Sequence, residues 1–137
     1  MRVYVFGNID IDEDKNAVLA AKFLREKMSS FTNVSADKPE IDFKLMGIDD
    51  EVKFETDHPI ILDVVEGITE VMLFDDIDKV VLPPRVSAHD MDLGFQLKYL
   101  KKIGKIKKAM IIGVPMKGKI DYDRIHLILR KLAGEEK

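Results

Sequence analysis

The sequence predicts a three-layer α/β domain: a mainly parallel central sheet flanked by helices. Three observations carry that prediction. Two apolar runs, Pro59–Val65 and Ala109–Val114, are almost without polar positions. Continuous apolar strands belong to sheets covered on both faces. Strand-like runs also alternate with amphipathic helical runs, the pattern of a parallel sheet with crossover helices. Finally, 137 residues with no internal repeat and no low-complexity tract fit a single domain over 1–137.

Each element can be justified in order. Arg2–Phe6 is rich in Val and aromatic residues and reads as a first strand. Gly7-Asn8 then turns the chain into a carboxylate cluster, Asp10, Asp12, Glu13 and Asp14. A helix is expected from near Asp14, with Ala17, Ala20, Ala21, Leu24 and Met28 on its inner stripe and Lys22, Arg25 and Glu26 outside. Acidic residues in its first turn and Lys27 near its end suit the macrodipole. Ser29–Pro39 is polar and turn-rich, a loop, and Ile41–Met46 is a strand. Gly47–Asp57 is acidic and irregular, with a short strand at Glu51–Phe54. Pro59–Val65 is the clearest buried strand, and Glu70–Phe74 is a further candidate. Asp75–Asp78 and Lys79–Leu82 follow, and Pro83-Pro84 breaks the chain. Ser87 followed by Asp90 resembles a capping box. It opens a helix with Leu93, Leu97, Leu100 and Ile103 as its core stripe, ended by Gly104. After the buried strand Ala109–Val114, Asp121 caps a last helix with Ile125, Ile128, Leu129 and Leu132 inward.

Composition excludes several classes of function. With no cysteine, there are no disulfides, thiolate metal sites or Cys nucleophiles. A net charge of −3 gives no global basic field for nucleic acid. No apolar run approaches the length of a membrane span. Met1–Phe6 is a strand without the layout of a signal peptide, and the absence of cysteine leads to the expectation of a cytoplasmic location. Six lysines between Lys98 and Lys108 read as a solvated face supporting a helix C-terminus, or as a docking patch for an acidic partner.

The remaining polar residues in apolar contexts carry the chemistry. Asp10-x-Asp12-x-Asp14 is not a calcium loop, because Lys15 and Ala21 occupy the positions that need Gly and Glu. Nor is Gly7-Asn8 a dinucleotide fingerprint, since the next glycine is Gly47. Gly7 suits a tight turn with close backbone approach. Asp63 falls inside an apolar strand, where a carboxylate needs a partner. That partner is either a backbone N–H or a metal or substrate. Of the histidines, His126 lies within the last helix as a structural or surface residue. His58 precedes a strand, at the wrong end for a site. His89 falls in the first turn of a helix, where the dipole favours the neutral ring that metals bind. Asp14, Asp63 and His89 thus follow strand ends or open helices. Parallel strands would gather them at one sheet edge, where open α/β sheets bind ligands.

These residues together resemble the [NiFe]-hydrogenase maturation proteases. The resemblance rests on a strand, Val3–Phe6, then Gly7-Asn8, then the acidic pair Glu13-Asp14 at a helix start. It continues through Ile61-Leu62-Asp63-Val64-Val65, then Ser87-Ala88-His89, and in part Gly113-Val114-Pro115, which is one residue tighter than the family's pattern. What the resemblance implies is an endopeptidase that removes the C-terminal extension of a [NiFe]-hydrogenase large-subunit precursor after nickel insertion. Carried over, the metal-contacting and catalytic residues are Asp14, Asp63 and His89. The metal is nickel sensed in the substrate, for which other divalent metals can substitute. One departure is clear: where the family has Gly-x-Gly or a variant, this chain has Lys15-Asn16-Ala17. Lys15 there would repel a cation or pair with Asp14. The alternatives are a non-catalytic binding module of the same fold that docks on a hydrogenase-like subunit, and an unrelated α/β metal hydrolase. No Ser-His or Cys-His pair offers a different nucleophile.

Overall fold

A computed structural model of the chain describes residues 1–7, 10, 15–31, 41–46, 53–77 and 93–135. Five strands, β1 (Arg2–Val5), β2 (Asp42–Leu45), β3 (Ile60–Val65), β4 (Met72–Phe74) and β5 (Met110–Pro115), form one sheet in the order β2-β1-β3-β5-β4. All pairings are parallel except β4 with β5, which is antiparallel. Three helices accompany them among the described residues: α1 (Asn16–Phe31), α2 (Leu93–Lys102) and α3 (Tyr122–Glu135).

The layers follow from the two-residue period of the strands. Val3, Val5, Ile60, Leu62, Val64, Ile112 and Val114 share one core with Ala17, Ala20, Ala21 and Leu24 of α1 and Ile125, Leu129 and Leu132 of α3. Tyr4, Phe6, Ile61, Val65 and Ile111 share the other with Leu97 of α2. Two helices therefore cover one face and α2 the other, the expected three-layer sandwich. All six residues of β3 are buried, so this central strand anchors both cores. Each large aliphatic side chain enclosed there contributes about 1.5–3 kcal/mol.

Helix ends show where local chemistry acts. α1 begins at Asn16 rather than near Asp14, and the Lys15 carbonyl accepts from the Leu19 N–H at 2.9 Å. Its first turn therefore holds no acidic residue. The helix also runs on through Ser29 to Phe31, so Lys27 is not in its last turn. Small, apolar Ala17, Ala20 and Ala21 favour helix, whereas the Asp- and Ile-rich approach does not. α2 ends in a Schellman turn: Lys105 N–H reaches Leu100 O at 2.9 Å, Gly104 N–H reaches Lys101 O at 3.2 Å, and Gly104 has φ +80°. Asp121 caps α3, its Oδ1 accepting from the Arg124 N–H at 3.1 Å.

Some expected features fall outside the described residues: the Asn8 turn, Asp12, Glu13 and Asp14, most of the loop after α1, part of the strand at Glu51–Phe54, Lys79–Leu82, Pro83-Pro84 and the Ser87–Asp90 helix start. Lys53 and Phe54 are described and are not in a strand. The helical stripe of α2 is narrower than its spacing implied. Leu97 is buried and Leu100 half-buried, but Ile103 lies exposed beyond the helix end.

Candidate functional site

The strand order locates a binding edge before any side chain is considered. From β1 the chain runs through α1 to β2 on one side, then returns to β3 on the other. The order therefore reverses between β1 and β3. Open α/β sheets bind ligands outside the carboxyl ends of the strands at such a reversal. β1 ends at Val5, paired with Leu62, and the Phe6 N–H still reaches the Leu62 carbonyl at 3.0 Å. Asp63 is the next residue of β3, so it stands at the reversal itself.

Asp63 is only 3% exposed. By alternation it lies on the α2 side of the sheet, between Ile61 and Val65. Its Oδ1 accepts from the Val64 N–H at 2.8 Å, which fixes the carboxylate against the strand. In β5 it pairs with Gly113. That glycine is required by packing: a Cβ there would lie 2.7 Å from Val65 Cγ2 and 3.0 Å from Phe74 Cε2. The neighbour of Asp63 on β5 therefore carries no side chain. The turn out of β1 also uses glycine, since Gly7 has φ +144°, a conformation costly for other residues.

One residue at this edge was not foreseen as part of its architecture. Asn16, the first residue of α1, is 7% exposed. Its Nδ2 donates to Pro115 O at 2.9 Å and to Met116 O at 3.2 Å. The amide thus ties the start of α1 to the carboxyl end of β5, across the edge that holds Asp63. A signal was present in the sequence: Asn16 shares the four-residue spacing of the buried Ala20 and Leu24. A polar residue extending a buried stripe needs a buried partner.

Of the proposed trio, Asp63 is described and stands at the predicted edge. Asp14 and His89 lie outside the described residues. Among the described residues no three His, Asp or Glu side chains are grouped to hold a metal. The other two histidines are described. His126 is half-buried in α3. His58 is exposed at the entrance to β3, the opposite edge of the sheet, and its Nδ1 contacts the Asp57 carboxylate. That hydrogen bond, helped by the charges of His58 and Lys107, holds the Asp57 pKa below its ordinary value. No described helix is long and apolar enough to cross a membrane.

A family model described as hydrogenase maturation protease matches residues 43–133. The matched span runs from β2 into α3, about two thirds of the chain, and takes in positions 63 and 89. No curated protein and no solved structure matches the chain.

Proposed function

This chain belongs to the hydrogenase maturation protease family, and from that premise we propose that it cleaves the C-terminal extension from a [NiFe]-hydrogenase large-subunit precursor once nickel is in place. The observation that carries this reading is the position of Asp63. It lies inside the matched span, buried, at the carboxyl edge where the strand order reverses. A carboxylate in the interior costs stability that an aliphatic residue would not. The Val64 N–H meets one of its oxygens, and this reading assigns the carboxylate to recognition or chemistry as well.

In this mechanism the precursor brings its nickel centre to the edge between β1 and β3. Asp63 would hold it there, together with Asp14 from between β1 and α1 and His89 from between β4 and α2. Nickel, or a divalent substitute, supplies Lewis acidity toward the scissile carbonyl or its attacking water. The Val64 N–H keeps the Asp63 carboxylate in a single orientation as substrate arrives. Gly113, beside Asp63 on β5, lets the Val65 and Phe74 side chains close over that side of the strand pair. Asn16 holds the end of β5 fixed to α1, which keeps the edge from spreading. Within Lys15-Asn16-Ala17, Asn16 therefore has a structural use in this chain. Ala17 is fully buried in the core beneath α1, where the family's pattern has glycine.

The test is incubation of the purified protein with nickel-loaded and nickel-free precursor, followed by intact-mass spectrometry. Loss of a C-terminal segment from the nickel-loaded form alone supports the proposal. Stable binding of the precursor without cleavage would identify a non-catalytic docking module instead.

A further inference from the structure

The outer face of α2 has no part in the chemistry above. Phe95, Tyr99 and Ile103 are 57, 53 and 48% exposed there, while Leu97 on the opposite side is fully buried. Four-residue spacing places Phe95 and Tyr99 one turn apart on one side of the helix, and Ile103 follows just past its end, its N–H on Tyr99 O at 3.0 Å. Lys98 and Lys102, three residues on from Phe95 and Tyr99, are exposed beside them, and Lys101 and Lys105 are exposed as well. In a chain of net charge −3 this is a concentration of positive charge. Lys101 and Lys102 complement the helix C-terminus. That role does not account for two aromatic rings and an isoleucine exposed together. Neighbouring apolar anchors on a helix and at its end, with cations at their border, are the composition of a protein-binding face.

The charge selects the occupant. A second copy of this chain docked through the same face would bring lysines against lysines. A protein segment with apolar side chains bordered by Asp and Glu fits both features. The direction of α2 gives the face a purpose. The N–H groups of Lys107 and Lys108, just after α2, donate to Asp57 O at 2.7 and 3.2 Å, at the amino edge of the sheet. α2 therefore starts toward the carboxyl edge that holds Asp63, and its ten residues span about 15 Å.

We propose that Phe95, Tyr99 and Ile103, bordered by Lys98 and Lys102, dock an acidic, apolar-bearing segment of the large-subunit precursor and present its C-terminal extension to the Asp63 edge. This rests on the protease reading, but binding and cleavage can be measured apart. The experiment is calorimetric titration of nickel-loaded precursor into wild type, Lys98→Gln/Lys102→Gln, Phe95→Ser/Tyr99→Ser and Lys131→Gln, at low and high salt. Lys131 is exposed on α3, across the sheet. Each double variant, with an unchanged circular dichroism spectrum, is expected to lose affinity at least about tenfold. Wild-type affinity falls with salt, more steeply than that of the lysine variant, and Lys131→Gln binds as wild type. If cleavage is absent but the double variants still lose binding, the docking face stands and the protease reading falls. Wild-type affinity in both double variants overturns the docking face. So does equal weakening by Lys131→Gln, or failure of wild type to bind the precursor.

Discussion

Replacing Asn16 tests whether the edge is held together as the structure shows. Asn16→Ala removes two N–H···O hydrogen bonds, to Pro115 O at 2.9 Å and Met116 O at 3.2 Å. Each contributes about 0.5–1.5 kcal/mol net, and a carbonyl left buried without a donor costs about 1–3 kcal/mol. Alanine returns up to about 0.7 kcal/mol through its higher helix propensity. The net expectation is a loss of about 2 kcal/mol, read from the midpoint of urea unfolding at an unchanged m-value. Asn16→Asp is the sharper variant, because it sets a carboxylate oxygen against two carbonyl oxygens. It should be less stable than the alanine variant at neutral pH. Repulsion raises the folded-state pKa of the introduced acid above its unfolded value of about 3.9. The deficit is therefore full above the raised pKa and shrinks as pH falls through it, when the acid can donate. An alanine variant within about 0.5 kcal/mol of wild type, the spread of ordinary surface substitutions, would refute the reasoning.

Other expectations follow from the same contacts. Gly113→Ala places a Cβ 2.7 Å from Val65 Cγ2 and 3.0 Å from Phe74 Cε2, and should cost about 1–3 kcal/mol in urea unfolding; adding Val65→Ala should recover part of that cost by removing the closer atom. The Asp57 carboxyl, held below its ordinary 3.8 chiefly by His58, should titrate below that value by NMR and move upward in His58→Ala. A depressed acid contributes stability above its unfolded pKa and loses it as pH falls through the folded pKa, so the effect belongs to the acid limb of the stability curve. His89→Ala should leave unfolding unchanged and weaken nickel binding strongly, as measured by calorimetric titration; unchanged affinity would remove His89 from the site.

Much of the fold was legible because burial writes itself into the strands. Pro59–Val65 and Ala109–Val114 left no room for a solvated face, and they became the adjacent central strands β3 and β5. Asp63 was conspicuous for the same reason, a charge within an apolar run. The reversal between β1 and β3 that gives its position meaning is a property of strand order, which local spacing does not encode. The role of Asn16 is not legible in the sequence, because its partners are backbone carbonyls about 100 residues away. Backbone acceptors leave no trace in residue identity. α1 starts at Asn16, slightly later than its acidic approach implies, since acidic residues that suit a helix N-terminus also suit positions ahead of it. On α2, Ile103 matched the inner stripe by spacing, yet the Schellman turn at Gly104 ends the helix before that position can turn inward.

The central claim is that Asp63 takes part in cleaving the precursor. Asp63→Asn keeps the shape of the side chain and an oxygen for the Val64 N–H while removing the charge. The decisive measurement is the single-turnover rate at which nickel-loaded precursor loses its C-terminal segment with excess wild type or Asp63→Asn, both shown to be folded. The account predicts processing by wild type and a rate lower by at least about a hundredfold in the variant, the scale on which positioned acid–base groups act. Processing by Asp63→Asn at the wild-type rate would contradict it.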